Sequence, residues 1–136
     1  MKIRRYNQVE DEGKLLQIIK NEGEGWSEYS SSEGWAKYKV ALQNSITYVC
    51  CESNTVCGYS RSIDDNGFYI YVCDLLVAPQ YRGNGIGKIL METIYEDYPG
   101  YTVFVMSDVD EYYQKQGYRR EGSIFEVTNT SETSSS

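Results

Sequence analysis

The sequence predicts a single mixed α/β domain, with elements in the order β-α-α-β-β-β-α-β-α-β. Three observations carry this prediction. The chain has 136 residues, which suits one domain with a core large enough to need no staple. Apolar residues recur at helical spacing in two early segments and one late one, with β-branched and aromatic runs between them. Among those runs stands Asp64-Asp65-Asn66-Gly67, a hairpin signal, because asparagine and glycine tolerate the positive φ of tight turns.

Lys2–Tyr6 reads as a short strand. Asn7 and Glu10 have capping-box spacing, and Leu15, Leu16, Ile18 and Ile19 give the first helix its apolar face. Asn21–Gly25 breaks it. A second helix is expected to open at Ser30, with Glu33 completing a capping box and Trp35, Tyr38 and Leu42 on one side. Ile46–Glu52 and Val56–Ile63 are strands joined by Ser53-Asn54-Thr55. Phe68–Val77 is a long, largely apolar strand, expected in the centre of the sheet, and Pro79 ends it. Ile86, Ile89, Leu90 and Ile94 mark the next helix, stopped by Pro99-Gly100. Tyr101–Met106 is a strand, and a helix over Asp110–Gln116 ends at a C-cap, Gly117. Tyr118–Val127 is expected to supply one or two closing strands. The domain is therefore assigned to residues 1–127, and the polar residues 128–136 to a disordered tail.

Composition removes several function classes. The net charge is −7, from 13 basic and 20 acidic residues, and such a surface repels nucleic acid and anionic membranes while favouring cationic partners such as amines. No run of about 18 apolar residues exists to span a membrane. The basic start, Met1–Tyr6, precedes no apolar stretch, so it is not read as a secretory signal. There is no histidine, and the cysteines at 50, 51, 57 and 73 have no C-x-x-C spacing, which excludes a Cys/His zinc site and a histidine triad. Their apolar settings predict buried, reduced thiols in a cytoplasmic protein.

The chemistry concentrates in Leu75–Lys88, where Gly83, Gly85 and Gly87 lie between a buried strand and an amphipathic helix. Such a loop presents unpaired backbone N–H groups at the positive end of a helix dipole, a setting that favours phosphate. Arg82 and Lys88 would add two cations beside it. A Walker loop fails, because Arg82 replaces its first glycine and Ile89 its magnesium-binding hydroxyl. The dinucleotide fingerprint fails as well, because Lys88 stands where its last glycine belongs.

The run from Val77 through Pro79, Arg82, Gly83, Gly85, Ile86 and Gly87 resembles the coenzyme A signature of the GCN5-related N-acetyltransferase (GNAT) family. Downstream, Tyr112, Tyr113, Gly117 and Tyr118 resemble the family's aromatic-Tyr-x-x-x-Gly-aromatic segment. The resemblance spans essentially Lys2–Val127 and is densest over Asp74–Tyr118; the chain is identified as a small single-domain member of bacterial type.

That resemblance implies the GNAT acyl-CoA N-acyltransferase fold, in which the strand before the loop splays from its neighbour and the pantetheine arm lies in the gap. The backbone of Leu75, Leu76 and Val77 would hold the pantetheine and the thioester carbonyl. The backbone of Arg82, Gly83, Asn84, Gly85, Ile86, Gly87 and Lys88 would cradle the pyrophosphate. The cosubstrate implied is acetyl-CoA, with no metal, and an amine attacks the acetyl carbonyl directly. Tyr113 matches the family's general acid. Asp74, a carboxylate in an otherwise apolar run, is a candidate base or amine-binding group; the alternative is a carboxylate hydrogen-bonded to a neighbouring loop. Glu22, Glu24 and Trp26 occupy the segment that forms the acceptor wall, with a solvated loop as the alternative. The function implied is acetyl transfer to a primary amine of a small molecule or peptide. The alternatives are a coenzyme A-binding sensor or interaction module without turnover and, more distantly, a nucleotide-binding regulatory domain. No nucleic-acid or membrane partner is expected, while homodimerisation and the identity of the acceptor are left open.

Overall fold

The computed structural model describes residues 1–107 and 109–129. They form two compact units, Met1–Val105 and a second that begins at Met106.

The first unit is built on one five-stranded sheet: β1 (Lys2–Arg5), β2 (Ile46–Glu52), β3 (Thr55–Asp64), β4 (Tyr69–Val77) and β5 (Thr102–Val105), lying in that order. Neighbours are antiparallel from β1 to β4, and β5 runs parallel to β4. A parallel pair needs a long crossover, which the helix between those two strands supplies.

Helix α1 (Gln8–Glu22) starts as its sequence requires, with Asn7 Oδ1 accepting from the Glu10 amide at 3.1 Å. The reciprocal bond expected from Glu10 is made by Asp11, whose Oδ2 accepts from the Asn7 amide at 2.8 Å. Asp11 is fully buried and receives both outer nitrogens of Arg4, at 2.7 and 2.8 Å. Burial works against its ionised form, but Arg4 and the Asn7 amide outweigh it and hold the carboxyl below its ordinary range. This clamp joins β1 to α1.

The second helix departs from expectation. Ser27–Ser30 forms a separate turn, α2, so α3 (Ser32–Asn44) opens on Ser31, whose Oγ accepts from the Gly34 amide at 3.1 Å. Ser30 and Glu33 are therefore not its capping box. A Cβ added at Gly34 would stand 1.7 Å from the Glu28 carbonyl oxygen, so glycine is what lets α2 fold against α3. Leu15 and Ile19 of α1, and Tyr38 and Leu42 of α3, pack on Val49, Tyr59 and Leu76 of the sheet. Trp26, Tyr29 and Trp35 line the margin of this core.

Helix α4 (Ile86–Asp97) covers the other face. Gly58 alternates with Tyr59, and its added Cβ would meet Ile86 Cγ2 at 3.4 Å. The buried stripe of α4 is Ile86, Leu90, Met91 and Ile94, whereas Ile89 is exposed. Ile89 lies about 100° round the helix from Leu90, on the side away from Met91, which is why it misses the core.

The β3–β4 turn is made by Asp65 as much as by Asn66. Asn66 takes φ +64°, while Asp65 Oδ1 accepts from the amides of Gly67, Phe68 and Tyr69. Gly67 needs no positive φ.

In the second unit, α5 (Asp110–Lys115) ends one residue earlier than expected, and Gly117 takes φ +87°. The closing strands expected over Tyr118–Val127 are absent: residues 118–129 carry no strand, and Ile124, Phe125 and Val127 stand exposed. A strand must satisfy its amides through a ladder. Here no ladder partner stands among the described residues, and the polar side chains before Ile124 pair with one another, Arg119 with Glu121 and Arg120 with Ser123. Of the predicted tail, 130–136 lies outside the described residues. No helix among the described residues is long and apolar enough to cross a membrane. All four cysteines are free, with Cys50, Cys51 and Cys57 buried and Cys73 half-buried.

Candidate active site

The site begins with the pairing of β4. Over Ile70–Val72 this strand has partners on both sides, β3 and β5. Its pairing with β5 ends at Val72↔Val105, whereas pairing with β3 continues to Gly58↔Val77. Within the first unit, Cys73–Val77 therefore runs with one edge open. This is the segment in which the sequence placed Leu75, Leu76 and Val77 as backbone ligands. An open strand edge presents alternating N–H and C=O groups, which suits an extended ligand bearing amides.

A bulge in the same strand decides where its side chains point. Arg61 pairs with Asp74 but the next residue, Ser62, pairs with Val72, so Cys73 is the extra residue. Ile70 and Val72 share the Ser62 face, while beyond the bulge Asp74 and Leu76 lie with Arg61 and Tyr59, under α3. Had Cys73 been paired in regular alternation, Asp74 would stand on the Val72 face instead.

The open edge runs into the glycine loop. Ala78 is tied to the sheet by its amide, which donates to Cys57 O at 2.8 Å, and Pro79–Tyr81 makes one tight turn. Gly83 and Gly85 take φ +84° and +76°, and Gly85 is the N-cap of α4. Among the described residues, the amides of Gly83 to Lys88 donate to no backbone or side-chain acceptor. Nothing lies within 4 Å of a Cβ position at Gly83 or Gly85, so no neighbouring chain covers either glycine on that side. A row of free donors at a helix N-terminus fits a pyrophosphate.

Arg82, expected to bring a cation beside the phosphate, has its guanidinium tied on two sides. Its Nε donates to Val77 O at 2.9 Å and its outer nitrogen pairs with Glu22 Oε1 at 2.6 Å. The guanidinium thus braces the loop against the end of β4 and the end of α1. Glu22, expected at the acceptor wall, is the far end of this brace. Glu24 is exposed, and Trp26 packs against the core and edge-on to Tyr29 at 5.8 Å.

Asp74 is 7% exposed and sits in a network of four further side chains. Its Oδ2 accepts from Arg61 Nε at 2.6 Å and from Tyr38 OH at 2.7 Å. The Tyr38 hydroxyl is also 2.7 Å from that of Tyr59. Oδ1 accepts one long bond, from Tyr29 OH at 3.4 Å. The Tyr29 ring stacks on Tyr38 at 4.2 Å, and the Arg61 guanidinium lies 5.4 Å from the Tyr38 ring centroid. Burial, then the neighbouring Tyr59 and Asp74, push the Tyr38 phenol far above its ordinary range. For Arg61, burial disfavours the charge, but Asp74 more than offsets it and strengthens proton binding. Sequence reasoning missed Arg61, Tyr29 and Tyr59 and placed Tyr38 only as a core residue. The available signal was Arg61 itself, a charged residue inside the strand Val56–Ile63.

Tyr113 lies in the second unit, on α5. There it meets Tyr112 edge-on at 5.0 Å and stacks with Tyr118 at 6.4 Å. Among the described residues no group of three His, Cys, Asp or Glu side chains could hold a metal.

Residues 43–120 match the family of the acetyltransferase (GNAT) domain. The chain is similar to the "uncharacterized N-acetyltransferase ycf52" of Porphyra purpurea, at 28% identity over 102 residues, covering 64% of this chain and 59% of that protein. It thus spans about three-fifths of the length of that curated relative. Its fold matches a GNAT family acetyltransferase of Streptococcus pneumoniae, with a TM-score of 0.71, 21% identity, and coverage of 94% and 98% of the two chains. An aminoglycoside 6'-N-acetyltransferase complexed with coenzyme A matches with a TM-score of 0.61 at 16% identity, over 71% of this chain and 54% of that one.

Proposed function

The chain belongs to the GNAT acetyltransferase family, and from that premise we propose that it transfers an acetyl group from acetyl-CoA directly to a primary amine of a small molecule or peptide. The observation that carries this reading is the open edge of β4 over Cys73–Val77, which leads straight into the free amides of Gly83 to Lys88. The edge suits the amides of a pantetheine arm, and the loop suits a pyrophosphate.

Acetyl-CoA supplies the acetyl group as a thioester. The amine reaches the site as an ammonium, with a pKa of about 10.4 for an alkyl amine, and must lose one proton to become nucleophilic. Asp74 is the carboxylate for that ammonium. The nitrogen forms a C–N bond to the acetyl carbon as the C–S bond breaks, and Tyr113 donates its phenolic proton to the departing sulfur. No acyl-enzyme is needed, so the four thiols have no part in the reaction; free and mostly buried, they suit the reducing cytoplasm. Trp26 and Tyr29 pack at the margin of the core, and Tyr29 reaches the Asp74 carboxylate, which supports a role for both in the acceptor wall.

The test is a thiol-release assay with acetyl-CoA over a panel of polyamines, amino sugars, amino acids and peptides. It is run beside thermal melting with acetyl-CoA, which at about 100 times its Kd adds roughly 2.7 kcal/mol of stability. Release with at least one amine, together with the rise in melting temperature, is the expected result. Binding without release from any amine would favour the sensor module, and no binding at all would overturn the reading.

Arg82 gives a second expectation. Because it braces the loop and does not point a free charge at the ligand, Arg82→Met should raise the Kd of acetyl-CoA only about 10-fold, the lower end for a hydrogen bond from a charged group. Glu22→Gln should do less, since its pair with Arg82 is part-exposed and screened. Isothermal titration calorimetry at two salt concentrations decides this: a loss of 100-fold or more, steeply salt-dependent, would make Arg82 a direct phosphate ligand.

A further inference from the structure

Resting on the acetyltransferase reading, we propose that Arg61 and Tyr38 are positioning residues that occupy Oδ2 of Asp74, leave Oδ1 for the acceptor nitrogen, and use the guanidinium charge to make the bound ammonium give up its proton.

The geometry separates the two carboxylate oxygens. Oδ2 accepts two short bonds, 2.6 Å from Arg61 and 2.7 Å from Tyr38, while among the described residues Oδ1 has only the contact of 3.4 Å with Tyr29. Tyr38 is itself anchored, through its hydroxyl to Tyr59 and through its ring beneath Arg61. Oδ2 and its two donors form a fixed floor. Tyr29, half-buried on the four-residue turn α2, is the member of the network that an incoming amine would displace.

The charges explain why a bare carboxylate would serve less well. An anion within about 4–6 Å of an ammonium raises its pKa by about 1–3 units and so preserves the form that cannot attack. Arg61 beside the same carboxylate cancels most of that field. Among the described residues, the other titratable groups that contact Asp74 are neutral across an ordinary assay range. Burial raises the phenols of Tyr29 on α2, Tyr38 on α3 and Tyr59 on β3, and the Cys73 thiol on β4. Glu28 on α2 is exposed and acts on the Tyr29 hydroxyl. Arg61 and Asp74 are therefore the two charges that set the protonation of the acceptor. The amine's N–H bond breaks, its proton passes by way of Oδ1 to solvent, and the lone pair becomes available for attack.

The experiment measures the single-turnover rate against pH with saturating acetyl-CoA and the best amine, for wild type, Arg61→Gln, Arg61→Lys and Asp74→Asn. Removing the positive charge in Arg61→Gln should move the rising limb of the profile up by about one pH unit while lowering the KM for the amine. Arg61→Lys, which keeps the charge, should leave the limb in place. Asp74→Asn removes the negative charge, so its limb should move down and its KM should rise. Displacement in opposite directions is a result that loss of packing alone does not produce. A uniform fall in rate at every pH in Arg61→Gln, with the limb unmoved, would overturn the proposal. Should Arg61→Gln fail to fold by circular dichroism, Arg61→Met, which also removes the charge, decides in its place: an upward limb supports the proposal, and an unmoved limb overturns it. Absence of thiol release by wild-type protein that still binds acetyl-CoA would overturn the acetyltransferase reading, and this inference with it.

Discussion

Replacing Tyr113 with phenylalanine is expected to lower kcat by roughly 10- to 10⁴-fold, the span for losing a general acid or a looser electrostatic donor. A phenol with a pKa near 10 is protonated at neutral pH and can donate to a departing thiolate, whose own pKa is near that of a cysteine thiol, about 8.5. Negative charge gathers on sulfur mainly in the transition state. The donation therefore lowers the barrier more than it tightens binding, and the Kd of acetyl-CoA should change little. Phenylalanine keeps the ring, and with it the pairs that Tyr113 makes with Tyr112 and Tyr118. Tyr112→Phe is the control and should be nearly silent. Steady-state kinetics on both variants, with calorimetric Kd values alongside, check this. Equal damage from the two substitutions, or none from either, would place the acid elsewhere.

Gly85→Val is expected to abolish the acetyl-CoA-induced rise in melting temperature. Gly85 takes φ +76° at the N-cap of α4, a left-handed conformation that costs a side-chain-bearing residue roughly 1–2 kcal/mol and a β-branched one more. No atom within 4 Å would clash with the new Cβ, so the damage comes through the backbone: the chain must leave φ > 0 and carry the loop amides out of line. For wild type, about 2.7 kcal/mol of ligand stabilisation corresponds to a rise on the order of 10 °C in a domain of this size. The variant should show almost none. Gly100→Val is the matched control, because Gly100 also has a positive φ, +89°, with nothing within 4 Å, and lies outside the loop. It should lose stability yet keep the ligand shift. Loss of the shift in both variants, or in neither, would detach Gly85 from ligand binding.

The sequence by itself determined those features that depend on local chemistry. The cap at Asn7, the turn after Asp64, the strand Ile46–Glu52 and the glycine loop before α4 each follow from residue types at short spacing, and all four stand in the structure. Local reasoning also singled out Asp74 as a carboxylate in an apolar strand, and the resemblance to the GNAT family implied that the loop holds coenzyme A. Tertiary structure decided what required distant partners. Whether Tyr118–Val127 forms strands depends on a ladder that local sequence cannot supply, and it forms none. Whether Arg82 faces a phosphate or braces the loop depends on Glu22, sixty positions away in the chain. The face on which Asp74 stands was hidden for the same reason. Alternation within β4 would have put it with Ile70 and Val72. The bulge at Cys73 exists only in pairing with β3, and it turns Asp74 over to meet Arg61 and Tyr38. Side-chain period and turn chemistry are written within a few residues, whereas register and charge pairing are settled between strands and helices that meet only in the folded chain.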